Sequence, residues 1–302
     1  MRYFISGIRG FIGSHLAQSL IKEGHDVLGV DNLSHPSQNK LPKNTWHWGD
    51  VRYYSQVSSF IANADVVIHS AAEISVDKSI NEPHYSFDSN VTGTLTILEA
   101  CRKFRKKMVY ASSSEVYGTS QTDSISETHP LDGQSPYAAS KTAGDRLAYS
   151  YWKTFNLPVT IVRNFNTFGP YQSFDSYGGC IAKFTYRALK GLPLQIYGDG
   201  TQERDYMNVE DAVAAYTLCF DEKMNGKVVN FGTGKTVKIN DLAEMVIKYT
   251  GANVVAEHVA PRPGEVQRLC ADITLAKSLG FKPRTDFEKD LNDYVQWFRK
   301  YN

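Results

Sequence analysis

The chain has 302 residues, 42% of them apolar and 22% charged, with 22 glycines and 11 prolines. These proportions belong to a globular protein of one large or two modest domains, and they exclude a disordered, collagenous or coiled-coil chain. Lys and Arg number 33 against 32 Asp and Glu, so a net charge of +1 offers no field to attract nucleic acid or an anionic membrane, and an anionic ligand must be met by local groups.

Four scattered cysteines, Cys101, Cys180, Cys219 and Cys270, fit neither a disulfide framework nor a zinc knuckle, and the eight histidines include no HExxH pair. No bound metal is expected. No apolar run reaches the ~18–20 residues a membrane helix needs. Arg9 and the glycines interrupt the apolar start too early for a secretion signal, so the cytoplasm is the expected location.

In chain order, the first half alternates short apolar runs with longer helical patterns. Residues 2–6 predict a strand, and 11–23 a helix with Phe11, Ile12, Leu16, Leu20 and Ile21 on one side. Strands follow at 26–31, 45–49 and 65–69, then a helix over 86–104 and a strand over 107–112. A long helix over 137–156 and a strand over 158–163 complete this half. Such alternation implies right-handed βαβ units and an α/β fold with a parallel sheet covered on both faces. After Arg163, Gly and Pro thicken at Phe168-Gly169-Pro170, Tyr177-Gly178-Gly179 and Gly198-Asp199-Gly200. Shorter elements follow: helices at 181–190, 209–220 and 239–249, and a strand at 228–231. They suggest a smaller second part that closes over the edge of the first. The basic run Arg102, Lys103, Arg105, Lys106, Lys107 ends a helix and reads as a solvated C-terminus that complements the helix dipole.

Gly7-Ile8-Arg9-Gly10-Phe11-Ile12-Gly13 lies at the first strand-to-helix turn. Glycines there let the backbone turn tightly and approach a pyrophosphate, to which the helix N-terminus offers free N–H groups. The spacing is GxxGxxG, and its position strengthens a motif that is weak alone. Asp31, with Asn32 after it, ends the second strand, where a carboxylate accepts hydrogen bonds from an adenosine ribose. Asp50 and Val51 would flank the adenine, and the small residues Ser70, Ala71 and Ala72 would let backbone reach the cofactor. Arg9 could pair with a 2′-phosphate, with Asp31 or with the pyrophosphate. Asp31 would repel a 2′-phosphate, so NAD is expected over NADP.

Ser112-Ser113-Ser114-Glu115-Val116-Tyr117-Gly118 follows a buried strand, placing hydroxyls at its carboxyl end, where open α/β sheets bind ligands. Tyr137 and Lys141 open a helix at i, i+4 and share a face. An ammonium beside a phenol favours the phenolate, so Lys141 is expected to lower the Tyr137 pKa and make it a proton acceptor toward an alcohol.

Together GxxGxxG, the serine strand and YxxxK resemble the extended short-chain dehydrogenase/reductase superfamily, essentially over the whole chain. Asn90-Val91-Thr92-Gly93-Thr94, Arg163-Asn164-Phe165-Asn166, Arg204-Asp205-Tyr206 and Arg262-Pro263-Gly264-Glu265 resemble its nucleotide-sugar epimerases and dehydratases. The resemblance implies a Rossmann-type, doubly wound sheet with a smaller C-terminal substrate-binding domain. It implies a tightly held NAD, contacted by Asn90 among others, and a nucleotide-diphosphate sugar as substrate. Residues 1–165 would form the NAD-binding domain, with 205–234 returning to it, and 166–204 with 235–302 the sugar-nucleotide domain. Ser113 matches the family's catalytic hydroxyl and Asn166 a diphosphate contact. Arg204 and Arg262 match its arginine clamps, and Leu194 to Tyr197 the lining of its base pocket. Arginine also suits the task physically, since its planar fork grips phosphate oxygens in pairs. A homodimer built on the two long helices is a further expectation.

Glu115 bears on the reaction. In the resemblance, 4,6-dehydratases carry an Asp-Glu pair directly after the catalytic hydroxyl, where this chain has Ser114-Glu115. UDP-glucuronate decarboxylases also carry Glu there. The three-serine run and the Arg-Pro-Gly-Glu loop look more like a 4-epimerase, which is the reading taken. Dehydratase and decarboxylase are the alternatives, and a non-catalytic NAD or nucleotide-sugar sensor is a third.

Overall fold

The computed structural model describes residues 1–175, 178–284 and 286–301; Tyr177 of the second glycine-rich stretch lies outside them. The N-terminal half builds β1 (Arg2–Ser6), α1 (Phe11–Lys22), β2 (Asp26–Asp31), β3 (Trp46–Trp48), α2 (Tyr54–Asn63), β4 (Val66–His69) and the short α3 (Val76–Asn81). Next come α4 (Pro83–Phe87), a π-helical turn (Asp88–Thr92), α5 (Gly93–Phe104), β5 (Lys107–Ser113), a 3₁₀ turn (Ser114–Tyr117), α6 (Pro136–Phe155) and β6 (Val159–Asn164). The remainder runs β7 (Asn166–Phe168), α7 (Cys180–Leu189), β8 (Leu194–Tyr197), β9 (Glu203–Arg204), β10 (Tyr206–Asn208), α8 (Val209–Leu218), a 3₁₀ turn (Glu222–Met224) and β11 (Val228–Phe231). It closes with β12 (Val237–Lys238), α9 (Ile239–Thr250), β13 (Ala256–Val259), β14 (Arg268–Leu269), α10 (Thr274–Ser278) and α11 (Phe287–Tyr301).

The main sheet has seven strands in the order β11-β6-β5-β4-β1-β2-β3, all parallel. This is the expected Rossmann-type α/β fold. From β1 the chain winds out through β2 and β3, then returns to place β4 on the other side of β1. That reversal opens a crevice at the carboxyl ends of β1 and β4, the place where doubly wound sheets bind ligands.

Adjacent strand residues feed opposite layers, because successive side chains point to opposite faces. Ile5, Ile68, Val109 and Val162 join one buried cluster with α1 and α8, while Phe4, Val67, Met108 and Ile161 join the other with α2, α5 and α6. A third core unites Ile181, Phe184, Leu242, Leu291, Tyr294 and Phe298 from α7, α9 and α11. The 86–104 helix begins earlier, at Pro83, and is interrupted by the π-helical turn. The terminal α11, not anticipated, buries Leu291, Tyr294, Val295 and Phe298 at i, i+3, i+4 and i+7, a helical stripe present in the sequence. Among the described residues, no helix is long and apolar enough to cross a membrane.

Ile68 has no exposed surface at the centre of the sheet. Ile68→Ala should destabilise the protein by about 2–5 kcal/mol, seen as a lower urea midpoint at unchanged slope. A loss under about 0.5 kcal/mol would mean the crevice floor is not close-packed.

Candidate active site

One cleft of about 630 Å³ runs along the carboxyl ends of the strands and beneath the C-terminal loops. Its floor begins at the glycine cradle. Gly7 has φ +72, and a Cβ there would lie 2.7 Å from the Ala71 backbone nitrogen. A Cβ on Gly13 would lie 2.2 Å from the Gly7 carbonyl oxygen, so α1 seats directly on the turn. Gly10 caps α1 without a side chain, which leaves the first-turn amides facing the cleft formed by Gly7, Gly10, Phe11, Ile12 and Gly13.

Asp31 lines the cleft at the end of β2, accepting the Arg9 and Leu33 backbone N–H groups at 2.9 and 2.8 Å. The Arg9 guanidinium turns away: it lies over the Trp46 ring at 5.2 Å and donates to the Ser37 carbonyl at 3.4 Å. Asn32, Asp50 and Val51 reach the same end of the cleft, but the Asp50 carboxylate is gripped by Arg52 at 2.7 and 3.0 Å. Ser70, Ala71 and Ala72 line the crevice after β4. Asn90 does not line it. Its side chain is 1% exposed, accepting the Glu73 N–H at 2.7 Å and donating to the Glu73 carbonyl and Ser140 Oγ, both at 2.9 Å. Burial in the π-helical turn makes Asn90 a brace behind the wall, which corrects its reading as a cofactor contact.

The close glycine turn, the uncapped helix start and a carboxylate at the β2 end together fit a dinucleotide. The pyrophosphate would lie over the cradle, the adenosine ribose at Asp31 and the nicotinamide toward β5.

At that end, Ser113 closes β5 and its Oγ accepts the Glu115 N–H at 3.2 Å. Tyr137, in the first turn of α6, is 9% exposed and its phenol is close enough to Ser113 to feel its hydroxyl. Burial pushes that phenol up to about 12, against the pull of Ser113. The expected lowering by Lys141 is therefore corrected: Lys141 Nζ donates to the Ala111 carbonyl at 2.6 Å and lies 4.6 Å over the Tyr110 ring. Burial draws the Lys141 ammonium down to about 8, with Asp145 opposing. Glu115 lines the cleft, its carboxyl pushed up by burial, drawn down by Arg204 and Arg262 and pushed up by Glu265.

Across the cleft, Asn166 presents a buried amide oxygen with no hydrogen-bond partner among the described residues. Arg204, 7% exposed, donates to Glu265 at 2.8 Å. Arg262 pairs with Asp77 at 3.2 Å and covers the Tyr197 ring at 3.9 Å. Leu194 is not in the cleft. The period of two along β8 turns Leu194 and Ile196 into the third core and leaves Gln195 and Tyr197 facing the opening, so the base-pocket reading of Leu194 is corrected.

Sequence reasoning missed three supporting groups. Asp145 accepts from Ser112 Oγ at 2.8 Å and from Arg163 Nε and Nη2 at 2.9 and 3.0 Å. It stands four residues beyond Lys141 on the same helix face, a spacing that marks it in retrospect. Glu73 is approached by His35 at 3.2 Å and Lys78 at 3.0 Å, pairings across loops that leave no local pattern. Ser79 Oγ accepts the Tyr137 N–H at 3.0 Å.

Sheet order, cradle and crevice are those of a dinucleotide-binding α/β enzyme. The chain belongs to the extended short-chain dehydrogenase/reductase family described as GDP-mannose 4,6 dehydratase, which matches residues 4–294. A putative UDP-glucose 4-epimerase of Methanocaldococcus jannaschii is 35% identical over 302 residues, covering 99% of this chain and 98% of its own. The UDP-N-acetyl-alpha-D-glucosaminuronate decarboxylase of Bacillus cytotoxicus is 34% identical, covering 99% and 98%. The UDP-glucose 4-epimerase of Thermus thermophilus, solved with NAD, superposes with a TM-score of 0.94 at 31% identity, over 100% of both chains. The protein is an enzyme of the NAD-dependent nucleotide-sugar epimerase/dehydratase family, and NAD is its cofactor.

Gly13→Ala forces the cradle backbone apart. The folded variant should retain NAD on the order of tenfold less tightly, about 1.4 kcal/mol, measured as cofactor released on denaturation after dialysis. Undiminished retention would remove the cradle from cofactor binding.

Proposed function

We propose that the enzyme is a nucleotide-sugar 4-epimerase working through a transient 4-keto sugar on a UDP-hexose type of substrate. The observation that carries this reading is a buried hydroxyl, Ser114, where an acid would precede Glu115 beside Ser113 and Tyr137, while Glu73, the other carboxylate acting on Tyr137, is held by His35 and Lys78. Epimerisation needs proton transfer at one sugar oxygen only, whereas loss of water needs both an acid and a base beyond the hydroxyl pair. Glu265 and Asp77 are each engaged by an arginine.

NAD, when bound, supplies reversible oxidation at C4. In this reading Tyr137 accepts the O4 proton and returns it, and Ser113 holds the same oxygen and relays. Lys141 orients the ribose. Asn166, Arg204 and Arg262 hold the diphosphate while the sugar stays free to present its other face. Gly7, Gly10, Phe11, Ile12, Gly13, Asp31, Asn32, Val51, Ser70, Ala71 and Ala72 form the cofactor side. The domain division is 1–165 with 205–234, against 166–204 with 235–302; β11 and α8 of the returning segment pack with the main sheet. We also propose a homodimer through the α5 and α6 faces, where Leu95 and Phe155 are exposed, and a cytoplasmic setting for the four free cysteines.

A second reading, elimination or decarboxylation, is favoured by the half-buried Glu115 carboxyl in the same cleft.

Tyr137→Phe should keep fold and bound NAD and lose turnover by ~10²–10⁴-fold; near-normal turnover would remove Tyr137 from proton transfer. Glu115→Gln keeps shape and hydrogen-bonding reach. An epimerase should lose only about tenfold, about 1.4 kcal/mol, and its product should carry no deuterium at C5 after turnover in deuterated water. Solvent deuterium at C5 with a product lighter by water would establish a dehydratase, and carbon dioxide released from a uronic acid a decarboxylase.

A further inference from the structure

The short helix α3 touches three parts of the site with three successive residues. Asp77 pairs with Arg262, Lys78 lies 3.0 Å from Glu73, and Ser79 Oγ accepts the Tyr137 N–H at 3.0 Å. The helix start is fixed by Ser75, whose side chain accepts the Lys78 N–H at 3.1 Å. Lys78 and Ser79 therefore tie α3 to the wall behind the cofactor crevice and to the first turn of α6. Asp77 is the member left pointing across the cleft.

Its partner comes from the far side of the chain, 185 residues away. Both carboxylate oxygens of Asp77 face the Arg262 guanidinium, but the match is incomplete: Nη2 donates to Oδ2 at 3.4 Å, while Nε lies 3.2 Å from Oδ1 with no hydrogen-bond partner among the described residues. A phosphate can offer oxygens to Nε and Nη2 together, a match that Asp77 does not complete. The Tyr197 ring supports the other side of the guanidinium at 3.9 Å, and Pro261 and Pro263 stiffen its loop. Asp77 and Arg262 are both partly exposed at the cleft mouth, so the pair is weak enough to be exchanged.

We propose that Asp77 is a parking counter-ion for Arg262, a carboxylate that occupies the guanidinium until the diphosphate of the substrate displaces it. This inference rests on the nucleotide-sugar reading of the cleft. It gives Asp77 a specificity role. A ligand without a phosphate to replace the carboxylate leaves Arg262 bridged to α3 and the cleft mouth spanned, while a nucleoside diphosphate takes over the arginine and opens the span. The helix carrying the displaced carboxylate also carries the hydroxyl that braces Tyr137, so clamp and catalytic tyrosine share one support.

The sign of one measurement separates parking from scaffolding. Calorimetric titration of UDP, dTDP and GDP into the NAD-loaded wild type selects the diphosphate that binds, and the same titration is run on Asp77→Asn and Asp77→Glu. A parking carboxylate competes with the ligand, so Asp77→Asn should bind the diphosphate about two- to fivefold more tightly, the range for an exchanged surface pair. Asp77→Glu should stay near wild type. A residue that merely holds α3 in place would weaken binding when removed, so unchanged or weaker binding by a folded Asp77→Asn overturns the parking role alone. If the wild type binds none of the three, the nucleotide-sugar reading falls and the inference with it.

Discussion

The ion pair between Asp145 and Arg163 is the tie on which the geometry of the site depends. Both side chains are almost wholly buried, and burying two charges carries a penalty of several kcal/mol per ion unless their remaining hydrogen-bonding groups are matched. Here they are matched. Ser112 donates to Asp145, and Arg163 donates to the Tyr117 hydroxyl at 2.7 Å, while that hydroxyl donates to Asn230 at 2.6 Å. The network binds α6 to β5, β6 and β11 at one point. Lys141 stands one turn before Asp145 and Tyr137 two turns before it, and Ser113 is next to Ser112. The register between the helix that carries the phenol and the strand that carries the serine is therefore set by a network of which only Ser112 lines the cleft. Asp145 also opposes the loss of charge that burial imposes on Lys141.

A nearly neutral protein meets an anionic ligand by local means, and this cleft uses two. On the cofactor side no guanidinium of the described residues points in; backbone amides stand free at an uncapped helix start, and Arg9 is diverted onto Trp46. On the opposite side Arg204 and Arg262 each hold a carboxylate of the chain itself. In the proposed reading, recognition at Arg262 is an exchange of one anion for another. The driving force is a difference between two ion pairs, which favours discrimination over raw affinity.

Legibility in the sequence depends on the range of the interactions concerned. The parallel strands are legible because each is a short apolar run between helical patterns, and the cradle because its glycines sit at one turn. The i, i+4 spacing places Tyr137 and Lys141 on one face correctly, but not their electrostatics, because the Ala111 carbonyl that takes the ammonium comes from a neighbouring strand. Leu194 is misread when a motif is carried over as a segment, because strand alternation admits only every second side chain to an opening. Asn90 is misread because its partners, Glu73 and Ser140, lie 17 and 50 residues away. The stripe in α11 is present at helical spacing, whereas α3 is too short to show a period at all.

The balance of charge around Glu115 governs the chemistry open to the sugar once C4 is oxidised. Burial raises the Glu115 pKa, Arg204 and Arg262 act to lower it, and Glu265 acts to raise it. In the proposed reading, a diphosphate held by Arg204 and Arg262 neutralises the two arginines that favour the carboxylate, and leaves the burial and the neighbouring acid that disfavour it. Substrate binding therefore drives Glu115 toward its protonated form. A protonated carboxyl donates a hydrogen bond to a sugar hydroxyl but cannot remove a carbon-bound proton. In an elimination enzyme the carboxyl at this position has to be ionised once the substrate is seated, which calls for a cation that survives diphosphate binding. The cations acting on Glu115 are the two assigned to the clamp, and that electrostatic arrangement favours epimerisation.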